Sequence, residues 1–316
     1  MGDFVHHRRV DELKLGIGLP HAGPLASAQN IARLARGAEE IGLDSVWVLD
    51  RLLRPLSPAR GEAPSAYYST VFDALETLAY VAGLTSRVEL GTSVIQALYH
   101  SPVVLARRLA TIDQLSGGRV IAGLGRGWMP EEFTVAGVPL RRRKRAMPEF
   151  LAAMRATWGP DPVRFAGEIY DIPESDIGPK PARAIPLLLG YDSDFGVRLA
   201  ARYADGLHAN RQDLQTFARD VELFRETAVA AGRDLQSLSI SFRGAGRLTD
   251  AAQPARPLFV GSLEQWVDDI ERLATLGVSH VFVQLHTPIE QQLSTMTELR
   301  ERIHQRRLVG GPRQIA

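Results

Sequence analysis

The chain has 316 residues, 45% of them hydrophobic, and a formal net charge of +1. This size allows a substantial buried core, and the balanced charge gives no general affinity for nucleic acid. The absence of cysteine excludes disulfides, thiolate nucleophiles and cysteine metal sites. No apolar run approaches the ~20 residues of a membrane span, and residues 1–8 lack the apolar core of a signal peptide. We therefore expect a cytoplasmic protein with a small-molecule substrate and no nucleic-acid or membrane partner.

Short apolar runs alternate with longer amphipathic segments along the whole chain. The predicted strands are Lys14–Leu19, Ser45–Leu49, Val88–Ile95, Arg119–Leu124, Ile185–Leu189, Gly206–Ala209, Ser237–Phe242 and Val278–Val283. Helix-period segments such as Ala28–Ile41 and Leu263–Leu276 lie between most of them. This alternation predicts parallel strands with helical crossovers, and eight such units predict an α/β fold, the closed (β/α)8 TIM barrel, as one domain over residues 1–316. An open doubly wound sheet would alternate too, but no glycine-rich turn follows the first strand.

Two proline-rich segments do not fit a minimal barrel. Arg51–Thr70 follows the second predicted strand, and Gly159–Pro181 precedes the fifth. Because the first insertion follows a strand, we expect it at the C-terminal face of the barrel, as part of a substrate wall. The second follows a helix and would start on the opposite face unless it crosses over.

Glycines and polar residues concentrate where the predicted strands end. Gly91, Thr92 and Ser93 interrupt an otherwise apolar third strand, and mid-strand glycine indicates a bulge. We interpret this strand as shaped to contact something flat.

Four histidines lie near the same strand ends. His21 and His100 are candidate proton donors or ordinary capping residues, and His208 and His286 end two further strands. No histidine pair has metal-ligand spacing, so we predict no metal site.

Three motifs carry a resemblance to a known family. They are Ser-Gly-Gly-Arg at 116–119, Gly-x-Gly-x-Gly-Trp at 123–128 and Arg-Tyr-Ala-Asp-Gly at 202–206. With the stretch at 90–139 they make the chain resemble the bacterial luciferase-like family of flavin and deazaflavin oxidoreductases. The resemblance implies a (β/α)8 barrel, in agreement with the strand count, and a homodimer formed through helices near strands two to four.

The resemblance also implies a cofactor site. A bulge in strand three, often with a cis peptide, would correspond to Ser93-Val94. The cofactor-binding positions implied are Asp50, Thr92, Ser93, Val94, Gly125, Arg126, Gly127, Gly190, Tyr191, Asp192 and Ser193.

The implied phosphate site departs from the family pattern. Relatives carry Gly-Gly-x-Ser there, whereas this chain has Tyr191 at the second glycine and two acidic residues, Asp192 and Asp194. Arg126 is the expected source of positive charge. Asp194 also suits an N-cap for a helix over 195–204.

The cofactor implied by the resemblance is the deazaflavin coenzyme F420, with FMN as the alternative. Glu131-Glu132-Phe133 after the glycine loop and Trp47-Val48-x-Asp50 on strand two favour F420. The basic run Arg141–Arg145 could meet the acidic tail of F420 or form a solvated face. The rival functions are an FMN-dependent monooxygenase that uses dioxygen and a non-catalytic flavin-binding barrel.

The catalytic residues implied are Arg51, Trp128 and His100. In the sugar-phosphate dehydrogenase branch, the first two positions hold a histidine base and a glutamate. Arginine stays protonated and cannot act as a base at neutral pH. We expect Arg51 to hold an anionic or carbonyl substrate during hydride transfer, unless it pairs with a carboxylate of the long loop, and Trp128 to line the pocket, unless it only packs.

Overall fold

The computed structural model describes residues 13–59 and 61–309. Eight parallel strands form a closed barrel in which each strand pairs with its neighbours in sequence. The first strand also pairs with the eighth, with Lys14 opposite His280, and this pairing closes the ring. The strands are Lys14–Gly18, Ser45–Val48, Glu89–Thr92 continued by Ile95–Gln96, Val120–Gly125, Leu187–Gly190, Gly206–Ala209, Ser239–Ala245 and His280–Gln284. The (β/α)8 prediction is confirmed.

Helices cover the outside of the barrel. Their bounds are α1 Ala28–Glu40, α2 Ala74–Ala82, α3 Pro102–Ser116, α4 Pro130–Val135, α5 Ala146–Trp158, α6 Asp194–Tyr203, α7 Leu214–Ala230, α8 Leu263–Thr275 and α9 Ile289–Val309. Short 3-10 helices span Ala66–Ser69, Ala97–Tyr99, Leu140–Lys144 and Leu235–Ser237. The sequence encodes several of these boundaries. Ser262 and Gln265, for example, form a reciprocal capping box that starts α8.

The barrel interior is filled by a tryptophan. The Trp47 indole is buried and stacks on Phe282, with ring centroids 4.6 Å apart. A Cβ atom at Gly91 would overlap the Trp47 ring. The flat group that this glycine accommodates is therefore the protein's own indole, which corrects our interpretation of this position.

The second insertion crosses back to the C-terminal face of the barrel. It forms an antiparallel hairpin of Val163–Ala166 and Asp171–Ser175. In its turn, the backbone N–H groups of Ile169 and Tyr170 donate to Glu149 Oε1, at 2.7 and 2.6 Å. Glu149 lies in the first turn of α5, a helix that starts at the C-terminal face, and so the hairpin tip reaches the same end as the first insertion.

Within residues 13–59 and 61–309, no helix is long and apolar enough to cross a membrane. The same residues contain no group of three or more His, Asp or Glu side chains arranged to hold a metal ion.

Candidate functional site

A cavity of about 350 Å³ opens at the C-terminal mouth of the barrel. This is a size typical of small-molecule sites, and it lies where barrel enzymes place them. Most of the sequence-predicted site residues line it: Asp50, Arg51, Ser93, Val94, Gly125, Arg126, Gly127, Trp128, Gly190, Tyr191 and Asp192. Tyr68, from the first insertion, joins them, so that insertion does form part of the wall.

The cavity floor consists of Ser93, Val94, Gly125, Gly190 and His208. It is shaped by a bulge, because strand three has one more residue between its pairings Gly91↔Ile121 and Ile95↔Leu124 than strand four has. The Ser93-Val94 peptide within the bulge is cis, as the resemblance implied. A Cβ at Gly125 would lie 2.6 Å from a Val94 methyl group, and one at Gly190 would lie 3.2 Å from the other. These glycines therefore make room for Val94.

One residue of the floor, His208, is a neutral imidazole that holds Ser93 in place. His208 Nε2 lies 2.8 Å from Ser93 Oγ, and Nδ1 lies 2.7 Å from Ser241 Oγ. Burial, and to a smaller degree the charge of Arg243, lower the pKa of His208 to about 3. His208 is therefore uncharged at neutral pH and positions Ser93.

Three residues predicted at the site do not line the cavity. The buried Thr92 hydroxyl donates to Gly123 O at 2.7 Å and belongs to the barrel interior. Ser193 Oγ donates to the Asp192 carboxylate at 3.0 Å, outside the cavity. His100 is half-buried, and burial lowers its pKa.

His21 is also not a proton donor to the cavity. It is fully buried, and burial lowers its pKa. Nδ1 lies 3.0 Å from Leu19 O, while Nε2 accepts from Leu49 N at 3.0 Å. Both ring nitrogens therefore bind backbone, and the residue ties strand one to strand two.

A polar relay connects the ends of strands two, three and four. Asp50 accepts from Gln96 N at 3.0 Å, and Gln96 Oε1 accepts from Gly127 N at 2.9 Å. Burial raises the pKa of Asp50. Gly127 has φ +73°, and a Cβ there would lie 2.6 Å from Tyr99 Oη. A side chain at 127 would thus meet Tyr99 first.

The cavity rim consists of Arg51, Tyr68, Arg126, Trp128, Arg143 and Asp192. The Arg51 guanidinium lies between two aromatic rings, 4.9 Å from the centre of Tyr68 and 5.3 Å from that of Trp128. It also lies 3.6 Å from Glu132 Oε1, which is buried in α4. The carboxylate that Arg51 meets is therefore in α4 rather than in the long loop. Trp128 remains 54% exposed at the mouth.

Two arginines of the rim hold a carboxylate of the protein itself. Arg126, itself buried, donates to Asp192 Oδ1 at 2.7 Å, and Arg143 donates to Asp192 Oδ2 and, at 2.6 Å, to Gly127 O. Burial acts to raise the pKa of Asp192, but the two guanidinium groups outweigh it and hold this pKa below its usual value. The charge expected from Arg126 is present, with a second arginine beside it.

The start of α6 differs from the prediction. The N-cap position is Ser193, and Asp194 is the first helical residue, so the N-cap prediction for Asp194 was wrong. The Asp194 carboxylate instead pairs with Arg219 at 3.0 Å. Tyr191 is also fixed, because its hydroxyl donates to Asp220 at 2.8 Å and its ring lies beneath Arg211.

A second hollow of about 960 Å³ adjoins the cavity and shares Trp128 and Arg143 with it. Its wall contains the whole basic run Arg141–Arg145, together with Leu140 and the hairpin residues Glu168 and Ile169. We call it the basic hollow.

Arg243, on strand seven, lines the cavity and was not among the predicted site residues. Its position directly after the predicted strand Ser237–Phe242 was the available sequence signal. Asn210 and Gln96 were likewise missed as lining residues.

Several known proteins have sequences similar to that of this chain. The chain is 34% identical over 212 residues to an uncharacterised protein of Mycobacterium tuberculosis, covering 64% of this chain and 75% of that one. It is 33% identical over 222 residues to an F420-dependent glucose-6-phosphate dehydrogenase of Kineococcus radiotolerans, covering 69% of this chain and 60% of the relative.

Solved structures with 16–19% identity share the fold. An F420-dependent secondary alcohol dehydrogenase in complex with an F420-acetone adduct has a TM-score of 0.77 and 19% identity, covering 92% of this chain and 99% of that one. EDTA monooxygenase from Chelativorans sp. has a TM-score of 0.74 and 16% identity, covering 92% and 94%. The model of the luciferase-like monooxygenase family matches residues 14–316. The chain therefore belongs to the luciferase-like monooxygenase family.

Proposed function

We propose that the protein is an oxidoreductase that uses coenzyme F420 for hydride transfer to or from a small organic substrate. The observation that carries this proposal is the continuity between an uncharged floor, a pair of arginines and the basic hollow. These three surfaces match, in order, a planar ring, a phosphate and an acidic tail.

The floor suits a planar ring. Val94, Gly125 and Gly190 present no charge and little side chain, so a flat ring can lie close to the backbone. When bound, the cofactor supplies the hydride that a deazaflavin ring carries.

The arginine pair can bind a phosphate only if its present contacts change. Arg126 and Arg143 converge from two directions, as anion sites require, but Asp192 already accepts from both. A phosphate bound there would have to displace this carboxylate, and the exposed side chain of Asp192 is free to turn towards solvent.

The basic hollow supports the choice of F420 over FMN in this proposal. Five consecutive cationic residues line it, against the single carboxylate of Glu168. FMN ends at its phosphate and would leave the hollow empty, whereas the carboxylates of an F420 tail would reach it.

Arg51 is the substrate-holding residue of this proposal. Its guanidinium stays charged, its position between two rings is fixed, and its Nε is buried without an acceptor among the described residues. It can bind an anionic or carbonyl oxygen and stabilise the charge that develops there. It cannot remove a proton, which favours reduction of the substrate over alcohol oxidation.

Cofactor titration tests the proposal. We expect F420 to bind more tightly than FMN and its affinity to fall steeply with salt. The double variant Arg141→Ser/Lys144→Ser should weaken F420 about tenfold and leave FMN unchanged, because the two cations line only the hollow. Arg36→Ser, an exposed arginine of α1 on the opposite side of the barrel, is the matched control.

An FMN-dependent monooxygenase is the second candidate. The Arg126–Arg143 pair alone would suffice for a single terminal phosphate, and EDTA monooxygenase is among the structural neighbours. Preferential FMN binding with dioxygen consumption would establish it. A folded protein that binds neither cofactor would instead be a non-catalytic barrel.

A further inference from the structure

Arg243 lines the cavity and has no charged partner among the described residues. Its side chain is half-buried, and Nε is buried with no acceptor. Among the described residues, no carboxylate lies within ion-pair distance of Arg243, and no ring lies beneath its guanidinium. The remaining guanidinium nitrogens are open to the cavity that Arg243 lines.

The groups around Arg243 do not offset its charge. It acts on His208, His21, His286 and Tyr67, none of which is an anion at neutral pH. The lining carboxylates are engaged elsewhere, since Asp192 binds Arg126 and Arg143 and Asp50 accepts from Gln96 N.

A partly buried cation without a partner lowers the stability of the folded protein. The presence of such a cation in a cavity is most simply explained by an anionic ligand that pairs with it. The cavity is also lined by Arg51, on strand two, whose Nη1 lies 3.6 Å from Glu132 Oε1 and whose Nε is buried with no acceptor among the described residues. Arg126 and Arg143, which also line the cavity, both donate to Asp192.

We infer that Arg243 binds a carboxylate of the substrate, so that the substrates of this enzyme are small organic acids. A planar carboxylate matches the paired N–H donors of a guanidinium. Arg51 also lines the cavity and can hold a second oxygen of such a substrate. The statement that the bound anion is a substrate rests on the proposed function. The anion site itself does not depend on the cofactor.

The test compares benzoate with its neutral isostere benzamide, by calorimetry on cofactor-free protein and by cofactor absorbance on protein loaded with F420. We expect wild-type protein to bind benzoate at least tenfold more tightly than benzamide. Arg243→Met should abolish this preference, and Arg243→Lys should keep part of it, because lysine retains the charge but loses the paired donors.

Two controls separate binding from folding. Arg225→Met removes an arginine that donates to Leu276 O at the opposite end of the barrel, and should leave benzoate binding unchanged. Thermal unfolding of Arg243→Met should occur at the same or a higher temperature than in wild type, because an unpaired charge has been removed. A lowered unfolding temperature would assign Arg243 a structural role and overturn the inference.

Other results would also overturn it. Unchanged benzoate affinity in Arg243→Met places the anion site elsewhere, and a selective loss of F420 affinity places Arg243 at the cofactor. If benzoate binds through Arg243 but no F420 binds, the anion site stands and the proposed function fails.

Discussion

The floor and the rim of the cavity are held by different kinds of interaction. The floor is uncharged, and its shape comes from a bulge, from close glycine contacts and from neutral imidazole hydrogen bonds. The rim is built from arginines, a carboxylate and aromatic rings, several of them exposed. Changes to the floor should therefore alter stability and shape, whereas changes to the rim should alter affinity and salt dependence.

The largest effect is expected from Gly123→Val, which breaks the support of the floor. A Cβ at 123 would overlap the Thr92 carbonyl oxygen, which is backbone and cannot turn away. We expect the free energy of unfolding to fall by about 3 kcal/mol or more, as measured by urea denaturation.

The control is Gly83→Ala, where the nearest atom to a Cβ is Tyr80 O at 3.7 Å, an ordinary contact. It should change stability by less than about 0.5 kcal/mol. Equal losses in the two variants would show that the close packing around strand four is not specific.

A smaller effect on stability is expected when the pH is lowered, because two buried histidines of the barrel have lowered pKa values. Burial lowers the pKa of His208 and of His280 to about 3, from 6.5 when unfolded. The folded protein thus binds fewer protons, so its stability is complete above pH 6.5 and declines as pH falls towards 3. The slope is about 1.4 kcal/mol per pH unit for each histidine.

Urea midpoints between pH 7 and 5 measure this slope. His280→Asn removes one titrating group, whose Nε2 lies 2.6 Å from Ser45 Oγ, and should lower the slope by the share of one histidine, at most about 1.4 kcal/mol per pH unit, even if it lowers stability throughout. An unchanged slope would mean that other groups cause the acid sensitivity.

The smallest effect is expected at the rim. Asp192→Asn removes the carboxylate that occupies Arg126 and Arg143, and should strengthen FMN binding about three- to fivefold, since Asp192 is half exposed. Riboflavin, which lacks the phosphate, should bind wild type and variant equally. Weaker FMN binding by the variant would show that Asp192 supports the phosphate site rather than competing for it.

The fold could be predicted from the sequence because the same alternation of strand and helix patterns recurs along the chain. Eight apolar runs alternate with amphipathic helices, and each strand begins and ends within three residues of its predicted bounds, although the bulge divides strand three. The position of the cavity followed from strand ends alone, since all of them meet at one face.

The individual contacts were less predictable, because a sequence does not show which partner a polar group chooses. His21 and Thr92 looked like site residues, yet their polar atoms bind backbone inside the barrel. Arg243 looked like the end of an ordinary strand. Whether a carboxylate pairs with it depends on residues far away in the chain, and none of those that the structure describes does so. The homodimer stays a prediction, and Tyr80 and Leu115 on α2 and α3 are exposed apolar side chains on the surface concerned.

The hairpin beside the basic hollow has its own small apolar cluster, formed by Ala153, Val163, Ile172 and Ile177. Its tip is tied to Glu149 and its base is braced by the Asp161–Lys180 ion pair. We expect insertions or deletions between these two anchors to leave the strands of the barrel in place. The size of the basic hollow can therefore differ between related chains while the cavity in the barrel mouth keeps its shape.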